Sequence, residues 1–176
     1  MSSCLYWITG LSGAGKTTIG QLFYSRVKAS NKNVVFLDGD ILRDIFNITE
    51  QYSPAERRKI AMTYSRLCKM LTDQGIDVVI ATISMFHEVR DWNRSNIENY
   101  KEVYIKVPIK VLIDRDQKKL YSRAFRGEIK DVVGVEARAV IEIEEPKSPD
   151  IVILNDGSSA PEDIVNQLIN DLKLNI

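Results

Sequence analysis

The chain has 176 residues, of which 44% are hydrophobic and 27% charged, and its 24 basic side chains balance 24 acidic ones. This length and composition fit one soluble globular domain and exclude collagen-like, disordered and coiled-coil proteins. The zero net charge lacks the basic footprint of a general nucleic-acid-binding protein, and the longest apolar run, residues 78–83, is too short to span a bilayer. We therefore expect neither nucleic acid nor a membrane among the partners.

The amino-terminal residues 1–7 have no basic side chain before their apolar run, so we expect a cytoplasmic protein rather than a secreted one. Cys4 and Cys68 lie far apart in the sequence and are predicted to be free thiols. With His87 as the only histidine, the chain offers little from which to build a Cys/His metal site.

Apolar runs rich in β-branched residues alternate with amphipathic segments along the chain. Strands that alternate with helices through short connections predict one α/β domain over residues 1–176, with a mostly parallel five-stranded sheet and helices on both faces. The apolar runs predict strands at residues 5–9, 34–37, 78–83, 103–107 and 151–154. The amphipathic segments predict helices at residues 16–29, 54–74, 86–99, 108–126 and 161–174. Ser53, with Glu56 three residues later, is predicted to cap the second helix.

A glycine-rich loop follows the first predicted strand and opens the first predicted helix. Residues 10–17 read Gly-Leu-Ser-Gly-Ala-Gly-Lys-Thr and fit G-x-x-x-x-G-K-[ST] at every position. The glycines let the backbone curl so that its N–H groups and the helix dipole face the same phosphate. Lys16 is predicted to reach the β- and γ-phosphates of a nucleoside triphosphate, and Thr17 to ligate Mg²⁺. The alternative is a glycine-rich turn that matches the motif by chance. A chance match would not be expected to lie between a predicted strand and a predicted helix, as this loop does.

Two motifs that the sequence lacks argue against other classes of nucleotide-binding protein. No Asn-Lys-x-Asp tetrapeptide occurs, which guanine-nucleotide-binding proteins usually carry. The strand at residues 78–83 leads into Ser84 and Met85 instead of the acidic residues typical of motor and helicase ATPases. The sequence therefore favours a kinase for a small acceptor.

Two aspartates stand at the end of the second predicted strand, where open α/β sheets place ligand groups. Either Asp38 or Asp40 can hold Mg²⁺, directly or through water, or accept the proton of an acceptor hydroxyl. Arg43, one helical turn later, is predicted to bind an anion on the acceptor. The alternative is an Asp-Gly turn in which Asp40 only caps the next helix.

These motifs resemble those of the adenylyl-sulfate kinase family, in the same order and with the same spacing over nearly the whole chain. Residues 10–18 resemble the family's G-L-S-G-x-G-K-[ST]-T, and residues 37–43 its L-D-G-D-N-[IV]-R. Residues 52–57 are similar to F-S-x-x-D-R and residues 83–86 to I-S-P-Y. Residues 120–130 are similar to the family's lid, L-Y-x-x-A-x-x-G-E-I-x.

The resemblance implies a three-layer P-loop kinase fold, a homodimer, and transfer of the ATP γ-phosphate to the 3′-hydroxyl of a nucleotide. Lys16, Asp38 and Asp40 would be catalytic, Thr17 and Asp38 would hold Mg²⁺, and a basic lid at about residues 115–137 would close over both nucleotides. The residues implied for ATP are Gly10, Ser12, Gly13, Ala14, Gly15, Lys16, Thr17, Thr18 and Arg115. Those implied for the acceptor are Asp40, Arg43, Tyr52, Arg57, Ile60, Ile83, Ser84, Lys118 and Val132.

The departures from the family's pattern gather on the acceptor side. Ile41 and Ile60 each stand where the family has Asn, and Met62 with Thr63 replaces an Arg pair. Val132 stands where the family's Phe stacks on the acceptor adenine. Losing one stacking contact and one amide contact costs on the order of 1 to 3 kcal/mol each if nothing replaces them.

The intact ATP side and the altered acceptor side predict a different base on the same ribose. A related kinase activity uses cytidine diphosphoramidate, a precursor of phosphoramidate-modified capsular polysaccharide, and a smaller pyrimidine tolerates the loss of the stacking Phe. We favour this acceptor over adenylyl sulfate, which is the alternative. A regulatory protein that binds nucleotide without transferring phosphate is the alternative from another class.

Overall fold

Within the residues that the structure describes, five parallel strands form a central sheet in the order β2-β3-β1-β4-β5. The computed structural model describes residues 3–48, 53–116, 119–126, 128 and 144–176. The strands are β1 (Leu5–Thr9), β2 (Val34–Asp38), β3 (Asp77–Thr82), β4 (Tyr100–Lys106) and β5 (Ile151–Leu154). Because all pairs are parallel, the carboxyl ends of these strands meet at one edge of the sheet.

Helices cover both faces of this sheet. They are α1 (Lys16–Ser30), α2 (Gly39–Ile45), α3 (Pro54–Asp73), α4 (His87–Asn96), α5 (Ile109–Arg115), α6 (Leu120–Phe125) and α7 (Pro161–Asp171). Alternate residues of β1 face opposite layers, so that Tyr6 and Ile8 pack with α1 and α7, whereas Leu5 and Trp7 pack with α3 and α4. The predicted three-layer α/β fold is thus confirmed. None of the helices in the described ranges has the length and apolar character needed to cross a bilayer.

The predicted strands are confirmed with small shifts at their ends, but the single helix predicted at residues 108–126 is wrong. Helix α5 ends at Arg115 because Asp116 adopts a left-handed backbone conformation, with φ of 31°. The Asp116 carboxylate then accepts hydrogen bonds from the amides of Tyr121 and Ser122, at 2.9 and 3.0 Å. This interaction caps the start of a second helix, α6.

Side-chain capping also explains the starts of two other helices. Ser53 and Glu56 form the predicted capping box at the start of α3. The sequence did not predict α2, which begins because Oδ1 of Asp38 accepts hydrogen bonds from the amides of Asp40 and Ile41. Asp38, and not Asp40, is therefore the capping residue at this turn.

A buried ion pair joins α4 to the sheet. Nε of Arg90 lies 3.1 Å from Oε1 of Glu102 on β4, and the two side chains are only 4% and 3% exposed. Burial lowers the pKa of Arg90 and raises that of Glu102, while the opposite charge of each partner counteracts these shifts. Arg94 adds a second guanidinium beside Glu102, at 3.2 Å. Each charge therefore offsets part of the cost of burying the other.

Replacing Glu102 with Gln would leave the buried Arg90 without its full counter-charge. We expect this variant to lower the free energy of unfolding by about 3–5 kcal/mol, measured by urea denaturation followed by circular dichroism. Asp73→Asn is the control, because it breaks the exposed Lys69–Asp73 pair (2.8 Å) and should cost at most about 0.5 kcal/mol. Equal losses in the two variants would contradict the prediction.

Candidate active site

The glycine-rich loop connects β1 to α1 in a conformation that requires glycine at two points. Gly15, the residue before α1, has a left-handed φ of 89°, and a Cβ there would lie 2.8 Å from Nδ2 of Asn155. A Cβ on Gly10 would lie 2.5 Å from the backbone oxygen of Ile105 on β4. The loop is therefore closely packed against the ends of the neighbouring strands.

Three successive carbonyl groups of the loop, those of residues 12–14, accept hydrogen bonds from side chains of the second half of the chain. The Tyr121 hydroxyl donates to the first at 2.9 Å, Nη1 of Arg115 to the second at 3.3 Å, and Nδ2 of Asn155 to the third at 2.9 Å. Arg115 also donates to the Asn155 backbone oxygen at 3.1 Å. We call these three residues the loop clamp.

The loop clamp orients the peptide units of the loop. Because the carbonyl and N–H of a trans peptide unit point in opposite directions, the amides of Gly13 and Gly15 face away from the clamp residues. Backbone amides arranged in this way bind an anion. Tyr121 and Asn155 were not predicted as site residues, although Tyr121 lies in the family-like run Leu-Tyr-x-x-Ala at residues 120–124.

Lys16 lies folded over the same loop. Its Nζ donates to the Leu11 backbone oxygen at 2.7 Å. Burial lowers the pKa of Lys16 to about 8, and the nearby Arg43 adds to this shift, whereas Asp38 opposes it. Lys16 is thus cationic at pH 7 but loses its proton as the pH rises through about 8.

Asp38 uses its two carboxylate oxygens for different partners. Oδ2 accepts a hydrogen bond from the Thr17 hydroxyl at 2.7 Å, while Oδ1 caps α2. Asp38 is buried at the end of β2, so the threonine hydroxyl and the carboxylate form a pair of hard oxygen ligands beside the loop. Such ligands fit Mg²⁺. Among the described residues there is no group of three or more His, Cys, Asp or Glu that could hold a metal by itself.

Asp40 and Arg43 form the outer part of this edge. Their side chains make an ion pair one turn apart on α2, with Asp40 largely exposed. The structure therefore separates the two aspartates that the sequence could not distinguish. Asp38 is buried beside Thr17, whereas Asp40 faces solvent together with a cation.

The predicted acceptor residues Ile83 and Ser84 follow β3 at this edge of the sheet. Ser84 is buried with a left-handed φ of 25°, which is unusual for a residue with a side chain. Its hydroxyl lies 2.7 Å from that of Thr82, and the Ile83 backbone oxygen accepts a hydrogen bond from Thr9 at 2.5 Å. These contacts hold a bent segment after β3, at residues 83–86, which we call the acceptor loop.

The remaining predicted acceptor residues are only partly covered by the structure. Arg57 is half-buried on α3, and Ile60 is partly buried against the hydrophobic core below that helix. Tyr52, Lys118 and Val132 lie outside the described residues, as does most of the predicted lid.

A phosphate loop after β1, a lysine folded over it and a threonine–aspartate pair at the end of β2 together define a P-loop kinase. Solved kinases share the fold. The APS kinase of Mycobacterium tuberculosis, solved in complex with AMPPNP and APS, matches with a TM-score of 0.83 at 27% identity over 98% of both chains. The shikimate kinase of Aquifex aeolicus matches in fold alone, with a TM-score of 0.60 at 17% identity over 96% of both chains.

Sequence comparison identifies the family. The model of the adenylylsulphate kinase family matches residues 2–154, and the chain belongs to this family. It is 43% identical over 170 residues to the cytidine diphosphoramidate kinase of Campylobacter jejuni, covering 97% of this chain and 96% of that protein. It is 36% identical over 154 residues to a probable adenylyl-sulfate kinase of Archaeoglobus fulgidus, covering 88% and 97% respectively. The predicted family is confirmed, and the chain is a phosphotransferase.

The lowered pKa of Lys16 predicts a pH dependence of ATP use. Lys16 is cationic below about pH 8 and loses its proton as the pH rises through this value. We expect kcat/KM for ATP, which reports on the free enzyme, to fall about tenfold between pH 7 and pH 9. Lys16→Arg keeps its charge throughout this range and should lack the fall, whatever its absolute rate. A wild-type profile that stays flat to pH 9 would contradict the prediction.

Tyr121→Phe tests the loop clamp. Burial raises the pKa of Tyr121 to about 12, so its hydroxyl remains a donor to the loop at neutral pH. Loss of one such hydrogen bond, at about 1 kcal/mol, should raise the KM for ATP about fivefold and leave the KM for the acceptor unchanged. Tyr24→Phe is the control, since that hydroxyl contacts Lys28 on α1 at 2.7 Å. An unchanged KM for ATP in Tyr121→Phe would refute a role for this contact.

Proposed function

We propose that the protein transfers the γ-phosphate of ATP to the ribose 3′-hydroxyl of a nucleotide-type acceptor, and that this acceptor is cytidine diphosphoramidate. The observation that carries this proposal is a contrast between the two sides of the site. Lys16, Thr17 and Asp38 of the phosphate site are all present and lie at the loop. On the acceptor side, Ile60 and Val132 stand where the family has an amide and a stacking ring. The 43% identity to a cytidine diphosphoramidate kinase supports the same acceptor.

On the ATP side, the loop amides and Lys16 would bind the β- and γ-phosphates. Thr17 and Asp38 would hold Mg²⁺, which when bound neutralises phosphate charge at the transferring group. Arg115 is bonded to the Gly13 carbonyl and to Asn155, which places its guanidinium at the rim of the nucleotide site.

On the acceptor side, Asp40 would take the proton of the reacting hydroxyl, because Asp38 already contacts Thr17 and the start of α2. Arg43 and Arg57 would bind the anionic end of the acceptor, which requires Arg43 to exchange its bond with Asp40 for one with the substrate. Ile60 offers an apolar surface where the family has an amide. The stacking role of Tyr52, the charge of Lys118 and the replacement at Val132 remain predictions.

Adenylyl sulfate is the second candidate, because the family model and the Archaeoglobus fulgidus relative carry that name. It would place the protein in sulfate assimilation, whereas cytidine diphosphoramidate would place it in the modification of capsular polysaccharide. A non-catalytic regulatory protein is disfavoured, since the residues of the phosphate site are all present. We further propose that the protein is a homodimer and that it acts in the cytoplasm.

The deciding experiment measures ADP release with Mg·ATP and each of the two acceptors, with the 3′-phosphorylated product identified by mass. We expect kcat/KM for cytidine diphosphoramidate to exceed that for adenylyl sulfate by at least about tenfold, as the loss of one adenine contact predicts. Ile60→Asn, which restores the family's residue, should narrow this ratio. Efficient turnover of micromolar adenylyl sulfate by the wild type would overturn the proposed acceptor.

Asp38→Asn tests the metal side. Its amide oxygen can still cap α2, so the fold is kept while the negative charge beside Thr17 is lost. We expect kcat to fall by at least about 10²-fold with ATP binding nearly intact, measured by turnover and by calorimetry. Asp44→Asn, an exposed carboxylate on the same helix, should behave as wild type. Unaffected turnover in Asp38→Asn would reject the assignment.

A further inference from the structure

One carboxylate outside the phosphate site contacts two elements of the acceptor side. Oε2 of Glu144 accepts a hydrogen bond from the backbone amide of His87, the first residue of α4. Oε1 of the same carboxylate lies 3.3 Å from Nη2 of Arg58 on α3. Glu144 thus joins the end of the acceptor loop to the helix that carries Arg57.

The amide contact supplies a cap that α4 does not get from its own sequence. Phe86, the residue before α4, has an apolar side chain that cannot accept a hydrogen bond from the first amides of the helix. Glu144 provides the missing acceptor from 57 residues away, and its negative charge suits the positive end of the helix dipole. Since α4 starts directly after the acceptor loop, the position of that loop depends on this contact.

The main chain at Glu144 is itself fixed from the protein interior. Nη2 of Arg90 donates to the Glu144 backbone oxygen at 2.6 Å and lies 2.8 Å from Nδ1 of His87. The same guanidinium is held through Nε by the buried Glu102. The contact between Glu144 and the acceptor loop is therefore supported by the sheet.

The contact with Arg58 extends this support to α3. Arg58 lies over the ring of Phe86, with its Cζ 5.2 Å from the ring centroid, and pairs with Glu88 at 3.0 Å. The acceptor loop, the start of α4 and the first turns of α3 are thus tied together through Arg58 and two carboxylates, Glu144 and Glu88. Arg57 and Ile60 lie on those turns.

We propose that Glu144 is a positioning residue for the acceptor. It holds the acceptor loop and the first turns of α3 at a fixed separation, acting through the His87 amide and through Arg58. The inference rests on the proposed function, because it takes these two elements to form the acceptor site. A purely structural role would instead lower stability and weaken the binding of both substrates alike.

The test compares Glu144→Ala, Glu144→Gln and, as matched control, Glu88→Gln. Glu88 shares the Arg58 contact but has no bond to the His87 amide among the described contacts. In steady-state kinetics we expect Glu144→Ala to raise the KM for the acceptor about tenfold with the KM for ATP within about twofold of wild type. Glu144→Gln keeps an oxygen for the amide and should recover most of the loss, and Glu88→Gln should match wild type. An unchanged acceptor KM, or equal changes in both KM values, would overturn the inference.

Hydrogen exchange of the free enzyme tests the same inference without any acceptor. In Glu144→Ala we expect faster exchange at residues 84–88 and 57–60, with no change at residues 10–17 of the phosphate loop. Unchanged exchange at residues 84–88 would overturn the role of Glu144. Failure of the wild type to phosphorylate either nucleotide would count against the proposed function, and the exchange result would still decide the role of Glu144.

Discussion

The carboxylate of Asp38 is the interaction on which the geometry of the site depends. One of its oxygens accepts a hydrogen bond from the hydroxyl of Thr17, in the first turn of α1. The other accepts hydrogen bonds from the backbone amides at the start of α2. A single buried side chain at the end of β2 therefore sets the distance between the phosphate loop and the helix that carries Asp40 and Arg43. Because the phosphate loop and α2 share this carboxylate, a shift of either one would disturb the other.

The rest of the site is arranged around this carboxylate by the parallel sheet. The phosphate loop leaves β1, Asp38 ends β2 and the acceptor loop leaves β3, and because these strands are adjacent their carboxyl ends lie side by side. The sheet fixes these three strand ends, and the Thr17–Asp38 and Thr9–Ile83 hydrogen bonds connect them to one another. Contacts between distant residues then hold the loops in place. The loop clamp binds the carbonyls of the phosphate loop, and Glu144 binds the His87 amide at the end of the acceptor loop.

The sequence predicts those parts of the structure whose signals are local. The strands, the phosphate loop and the capping box at Ser53 are each specified by residues close together in the chain. Helix α2 escaped prediction because it has only seven residues and starts at Gly39. The division of α5 from α6 depends on a side chain that caps amides five and six residues away.

Contacts between distant residues could not be predicted from the sequence. Tyr121 reaches the phosphate loop across 109 positions and Asn155 across 141, and neither residue type indicates its partner in advance. The sequence could not distinguish the environments of Asp38 and Asp40 for a similar reason. They differ because Asp38 forms a hydrogen bond with Thr17, which lies 21 positions away in the chain. The roles of Tyr52 and Val132, which lie outside the described residues, are still predictions from the sequence.

The loop clamp has a consequence for how the protein is made. Residues 10–17 are synthesised before the side chains that hold their carbonyls, which come from Arg115, Tyr121 and Asn155. A nascent chain that ends before these positions contains the whole nucleotide-binding motif without the contacts that shape it. The contacts that shape the loop therefore form only once residues up to Asn155 have been synthesised, and a nucleotide bound to the shaped loop then favours the folded state by mass action.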